Sequence, residues 1–133
     1  MEIDPKYKER HYTMVDTTQF EKVIPGMWGA VNGGPSSGAT AWRLAVPDLD
    51  ICGKTGTAQN PRGADNSVFI CFAPKDHPKI AIAAYVEAGG FGASVAGPIA
   101  TLMVEQYLTG KVSRKELEKE MLQKNLIYKV KKD

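Results

Sequence analysis

Two apolar runs joined by a turn, SVFICFAP over residues 67–74 and KIAIAAYVEAG over residues 79–89, restrict the fold of this chain more than any other feature. Each has the length of a strand rather than of a buried helix, and the second carries β-branched and aromatic residues in a strand pattern. The linking stretch PKDHPK places Pro, Asp and a second Pro where a tight turn needs them, so the two runs are expected to pair as an antiparallel hairpin. A third strand is expected upstream, over ICGKTGTA, residues 51–58.

Helices are expected around these strands. Thr17 or Thr18 offers an N-cap for QFEKVIPGMWGAVNGG, in which Phe20, Val23, Ile24, Met27, Trp28 and Val31 recur at helical spacing. Pro25 and Gly26 predict a kink or a late start there. After the strands, Val95, Ile99, Leu102, Met103 and Tyr107 mark one buried face of a helix that Gly110 stops. Ser113-Arg114-Lys115-Glu116 reads as a capping box for a charged last helix to about Asn125, with Leu117, Met121 and Leu122 on its apolar side. Residues 9–16 read as an extended strand, and Trp42 to Val46 as a short one. The order predicts an α+β fold, an antiparallel sheet of three strands with helices packed on it.

Composition narrows the function classes. With 133 residues, 43% hydrophobic and 24% charged, the chain has the make-up of one globular domain or of a piece of a larger one. A net charge of +2 gives no reason to expect nucleic acid. The charge is uneven, since residues 111–133 carry eight Lys/Arg against four Asp/Glu and leave the rest at −2. No run is long and apolar enough to span a bilayer, and MEIDPKYKERHY has no apolar export segment. Cys52 and Cys71 read as small core residues or as a cross-strand disulfide, His11 and His77 as surface residues, and no metal or other cofactor is expected. The stretch Gly89 to Ala93 reads as a tight strand-to-helix turn, because it lacks the Gly-Lys-Ser/Thr ending of a phosphate loop and the spaced glycines of a dinucleotide site.

The chemistry-bearing candidate is Lys54-Thr55-Gly56-Thr57. On an edge strand it presents a cation, two hydroxyls and free backbone N–H donors, and Gly56 lets a ligand approach the main chain. Such donors suit an oxyanion or a carboxylate. Taken by itself, a pattern of four common residues also fits a solvated strand edge.

Together with their context, GKTGTAQNP, the hairpin running into GGFGASVAGPIATLMVEQYLTG, and the helix around GMWGAVN resemble the C-terminal end of a penicillin-binding protein transpeptidase domain, of the class B, penicillin-binding protein 2-like kind. The resemblance extends from about Thr18 to Tyr128. It implies that Lys54 organises the hydrogen bonds and electrostatics of the site, that Thr55 binds the carboxylate of the substrate or of a β-lactam, that Gly56 permits close approach, and that the Thr57 N–H forms half of an oxyanion hole. The family's other motifs, S-x-x-K with the nucleophilic serine and S-x-N, do not occur: Ser36, Ser37, Ser67, Ser94 and Ser113 are followed three residues on by Ala, Thr, Ile, Gly and Glu, and none has Asn two residues on. Asp65-Asn66 and the EAGG of Glu87 to Gly90 depart from patterns common in the family.

The resemblance thus implies a C-terminal piece of such a domain over 1–133, with an extended arm over 1–17, a body of helix, motif strand, hairpin and helix over 18–110, and a charged helix and tail over 111–133. It would contribute three strands to the family's five-stranded sheet and be inactive alone. The partners implied are peptidoglycan stem peptides and β-lactams, through the complete domain. The parent would be anchored in the cytoplasmic membrane with this domain in the periplasm. An exposed sheet edge or apolar patch is expected, and with it self-association. A noncatalytic peptidoglycan-binding module and a piece of a β-lactamase or β-lactam sensor are the alternatives.

Overall fold

The structure is a computed structural model and describes residues 4–61 and 63–126. Its elements run α1 (Thr17–Asn32), β1 (Cys52–Ala58), β2 (Asn66–Ala73), β3 (Ile80–Val86), α2 (Ala96–Thr109) and α3 (Lys115–Gln123), with short 3-10 turns at Pro5–Tyr7, Pro35–Ser37 and Trp42–Leu44. The three strands form one antiparallel sheet in the order β1-β2-β3, so the α+β reading and the hairpin hold.

Strand register sorts the side chains onto two faces. Thr57 pairs with Ser67 and Thr55 with Phe69, while β2 in turn sets Phe69 against Ala84 and Cys71 against Ile82. This face meets α2, and its core includes fully buried Phe69 with Ala96, Ala100 and Val104 of the helix. Alanines at two successive helical turns let α2 lie close to the sheet, so its buried face overlaps the expected one only in part: Val95 and Leu102 are buried as expected and Ile99 is half-buried. Met103 and Tyr107 are exposed, and Ala100, Thr101, Val104 and Glu105 take the inner positions. The opposite face carries Lys54, Gly56, Val68, Ile70, Phe72 and Tyr85. Here α1 packs mainly on β1, leaving Ile70 46% and Tyr85 59% exposed. Cys52 and Cys71 lie on opposite faces, because Cys52 pairs with Phe72 and Gly53 with Cys71. Both thiols are free and buried, and the cross-strand disulfide reading is excluded by the register.

Other expectations give way to local physics. Residues 9–16 form no strand: all are exposed and no neighbouring strand offers them a ladder. Trp42–Leu44 is a 3-10 turn, stabilised as Leu44 N–H donates to Ala41 O (2.9 Å) and buries its side chain. The N-cap of α1 is Asp16, one residue before the threonines. Its carboxylate accepts from Thr18 N–H at 2.9 Å, and that hydrogen bond holds the carboxyl below its ordinary range. Pro25 does not delay or interrupt the helix, which runs unbroken from Thr17 to Asn32. The carbonyl it leaves without a helical donor belongs to Glu21, which is exposed and can be hydrated. The far end of α1 is fastened to the start of β1, since Asn32 Nδ2 donates to Ile51 O (2.8 Å) and Trp28 Nε1 to Asp50 Oδ1 (3.0 Å).

At the other end, Gly110 takes φ +75° and stops α2 as expected. The capping box does not form. Ser113 spends both its N–H (2.7 Å) and its hydroxyl on Glu105 Oε1, and Arg114 Nε reaches Glu105 Oε2 at 3.0 Å. Glu105 is 2% exposed, so these partners satisfy a carboxylate that would otherwise be buried alone. Leu122 is 83% exposed and Met121 and Leu117 half-buried, so the apolar side of α3 is narrower than expected. The expected tail over 127–133 lies outside the described residues.

Burial pushes the Glu105 carboxyl up, but the hydrogen bonds from Ser113 and Arg114 and the guanidinium charge outweigh it and leave the group below its ordinary 4.5. A carboxyl lowered by folding stabilises the fold above its unfolded value and loses that contribution as pH falls through the folded value. Urea denaturation is therefore expected to show stability falling as the pH drops below about 4.5. Glu105→Gln should flatten that fall and cost about 3 kcal/mol at neutral pH, because Arg114 is left without its carboxylate.

Candidate active site

Strand β1 is one edge of the described sheet, and its central residues are Lys54, Thr55, Gly56 and Thr57. Alternation puts Lys54 and Gly56 on the α1 face and Thr55 and Thr57 on the α2 face, so the four do not point into one pocket. The Lys54 ammonium folds back along the strand and donates to its neighbour's carbonyl, Thr55 O, at 2.6 Å. Thr55 Oγ1 donates to Thr40 Oγ1 at 3.2 Å.

On the lysine side, an open groove of about 730 Å³ runs between α1 and the sheet, lined by Val23, Met27, Ala30, Thr40, Lys54 and Ile70 among others. Lys54 is the charged residue of that lining. On the threonine side a smaller cleft of about 250 Å³ is lined by Thr40, Thr55, Thr57, Phe91, Gly92 and Ala93. Thr40 borders both.

The Gly-rich turn after β3 builds the wall of the smaller cleft. A Cβ at Gly92 would fall inside contact distance of the Val68 carbonyl oxygen and within 2.7 Å of Gly56 O and 2.9 Å of Gly56 N, so the turn lies flat on the β1–β2 ladder and only glycine fits there. Ser67 holds it in place: its buried hydroxyl donates to Phe91 O (2.9 Å) and accepts from Ala96 N–H (3.0 Å) at the start of α2. Gly97 N–H closes onto Gly92 O at 2.8 Å and Ser94 N–H onto Phe91 O at 2.8 Å. The sequence expectation of a tight strand-to-helix turn describes its shape but misses its position against the motif strand. Thr40, Ser67 and Phe91 are likewise absent from the sequence candidates. The register Thr57 to Ser67, unknowable before the strands are paired, connects Ser67 and through it Phe91 to the motif, and Thr40 reaches it through the hydrogen bond from Thr55.

Of the other nucleophilic or basic groups, Cys52 and Cys71 are buried, and desolvation pushes both thiols up to about 11, which leaves them neutral and inert. His11 and His77 are exposed, the latter in the β2–β3 turn. Among the described residues no group of His, Cys, Asp and Glu side chains is arranged to hold a metal, and no helix is long and apolar enough to cross a membrane. What the strand offers is a cation, hydroxyls and edge N–H donors for an anion or a polarised carbonyl.

The chain is similar to several known proteins. A family model described as "Penicillin binding protein transpeptidase domain" matches residues 4–105. Peptidoglycan D,D-transpeptidase MrdA of Haemophilus influenzae is 30% identical over 112 residues, covering 73% of this chain and 17% of that protein. Peptidoglycan D,D-transpeptidase PbpA of Mycobacterium tuberculosis is 37% identical over 75 residues, 50% of this chain and 15% of that one. Among solved structures, Pseudomonas aeruginosa PBP2 in complex with WCK 5153 superposes with a TM-score of 0.65 at 31% identity, over 86% of this chain and 26% of that one. An imipenem acyl-enzyme complex of penicillin-binding protein A from M. tuberculosis gives 0.55 at 28% identity, over 71% and 20%. This chain therefore spans about a sixth of the curated relatives it matches. Matched span and superposed fold agree: the chain belongs to the penicillin-binding protein transpeptidase domain family, as a part of a class B domain.

Proposed function

We propose that this chain forms the Lys-Thr-Gly wall of a peptidoglycan D,D-transpeptidase site, and that it works only with a serine and a base supplied by sequence outside it. The observation that carries this reading is an edge strand whose Lys54, Thr55 and Thr57 border two clefts. In an antiparallel strand the N–H and C=O of one residue point to the same side. Gly56 N and O and Val68 O cluster around the Gly92 site, which fits a Gly56–Val68 ladder pair and directs the groups of Thr55 and Thr57 outward. The Thr57 N–H is then a free donor beside a carbonyl that reacts at the strand edge.

In the reaction a serine oxygen gives its proton to the base and adds to the carbonyl of a stem peptide, charge gathers on the carbonyl oxygen, and the C–N bond breaks to give an acyl-serine and an amine that leaves with the proton; with a β-lactam the same bond opening leaves the amine attached to the acyl group. A second stem peptide's amine then takes the acyl group and releases the serine. Thr57 N–H stabilises the oxyanion, Thr55 holds the ligand carboxylate, Gly56 leaves room for it, and Lys54 supplies positive potential to the serine's side of the groove. No cofactor enters this scheme. The relatives' names support the substrate class, and the acyl-enzyme complex of one of them supports β-lactams as ligands.

The same reading makes residues 1–133 a C-terminal portion of the domain, with an arm (1–17), a body (18–110) and a charged end (111–133), in a parent anchored to the cytoplasmic membrane and facing the periplasm. The outer edge of β3, unpaired among the described residues, and the apolar face around Ile70 and Tyr85 are where further strand and helix would pack. Without that cover the chain should self-associate.

Incubated with a fluorescent penicillin, the 133-residue chain alone is expected to take no covalent label, whereas the full-length protein takes one per molecule. Stoichiometric labelling of the short chain removes the need for an outside serine and ends this reading. In the full-length protein, Thr55→Ala or Lys54→Ala should each slow acylation by about 10²-fold, measured as the second-order rate of penicillin labelling, while circular dichroism stays unchanged.

A further inference from the structure

The Gly-rich turn after β3 meets the motif strand at a peptide group that the proposed chemistry relies on. A Cβ at Gly92 would fall within 2.7 Å of Gly56 O, so the Gly92 backbone lies against the carbonyl of the Gly56–Thr57 peptide. A peptide group is planar, and the direction of its N–H follows the direction of its C=O. We propose that Gly92 and the buried hydroxyl of Ser67, which holds the turn in place, are positioning residues that aim the Thr57 N–H at the oxyanion. This rests on the reading given under Proposed function and goes further, assigning the aim of the donor to residues outside the Lys-Thr-Gly-Thr run.

The need for such support follows from the strand itself. In the described sheet β1 has a ladder on one side only, and Gly56 has no side chain to restrict its backbone. An oxyanion donor works only when it already points at the place where charge will gather. Gly92 closes the freedom of this peptide from the α2 face, where Val68 O, Gly56 O and Gly56 N leave room for a hydrogen and no more. A turn can press in this way only if it is itself fixed, and this one is tied on both sides of Gly92. Gly90 N–H donates to Asp65 O and Gly97 N–H to Gly92 O, both at 2.8 Å. Between these ties Ser67, fully buried, donates to Phe91 O at 2.9 Å and accepts from Ala96 N–H at 3.0 Å. The ring of Phe91 is 74% exposed, so the turn is held by these hydrogen bonds and not by burial of its largest side chain. Ser67 also stands opposite Thr57 in the register, so one side chain connects the strand that carries the donor with the turn that backs it. The fit is tight, since a Cβ at Gly89 would stand 2.7 Å from Ser67 Cβ.

The test uses the full-length protein and the saturation kinetics of labelling by a fluorescent penicillin, which separate the dissociation constant of the first complex from the rate of acylation within it. Ser67→Ala should slow acylation within the complex by about tenfold, because a misaimed donor loses part of the roughly 10²-fold or more that removing one costs. The dissociation constant and the final label per molecule should stay unchanged. Affinity for a boronic acid that adds to the serine as a tetrahedral adduct should fall by the same factor as the rate. Ser67→Cys, which keeps a weak donor, should lie in between, and Gly92→Ala should slow acylation at least as much as Ser67→Ala. If Ser67→Ala and Gly92→Ala leave the acylation rate where it was while Lys54→Ala and Thr55→Ala still slow it, the turn does not aim the donor, and the proposed function stands. If Ser67→Ala only lowers the fraction of protein that takes label, or slows acylation without weakening the boronic acid, Ser67 holds the fold and not the donor, and the inference is overturned. If Lys54→Ala and Thr55→Ala do not slow labelling either, the strand is not a wall of the site, and both proposals fall.

Discussion

The hydroxyl of Ser67 joins three parts of this molecule that are far apart in sequence. It sits on β2 directly opposite Thr57, donates to the carbonyl of Phe91 and accepts from the first N–H of α2. Buried polar groups are costly unless paired, and here the pairing fixes a geometry. Sheet, glycine turn and helix start meet at one atom. The Gly92 backbone can then lie against the ladder of β1 and β2, and α2 can lay Ala96, Ala100 and Val104 over Phe69. Replacing the serine with a residue lacking a hydroxyl would free the turn and the helix start together, which makes this position structural for the cleft as well as for the core.

The sheet has two edges of different character. The β1 edge carries a cation and hydroxyls and borders two clefts, whereas β3, reading IAIAAYV, carries no charge to discourage pairing. The apolar groove beside Lys54 has the same incompleteness, being broad, open and lined chiefly by small side chains of α1 and the following turn. Both features suit a chain that spans about a sixth of its curated relatives.

Much of the fold was legible because strands and turns write local patterns. The two apolar runs, the Pro-Lys-Asp turn and the Gly110 stop each depend on neighbours in sequence, and each is legible there to within three residues. What could not be read depended on distant partners. Residues 9–16 have strand-forming side chains but nothing to pair with, and the inner face of α2 turned on how closely alanines let it approach Phe69. Ser113 has the right spacing for a cap and is taken instead by a carboxylate eight residues upstream. The candidate site divides along the same line: the four-residue motif is contiguous, so a resemblance finds it, whereas Thr40, Phe91 and Ser67 reach it through register and tertiary contact.

The alternation of β1 has a further consequence for how this wall tolerates error. Because lysine and threonines face opposite sides, a slip of one residue between β1 and β2 would exchange them, sending the ammonium into the small cleft and the hydroxyls into the large groove. Gly53 works against such a slip, since the ring of Phe69 lies over it and a Cβ in its place would collide with that ring. The core thus acts as a proofreader of polarity, deciding which cleft of the wall is cationic and which is neutral.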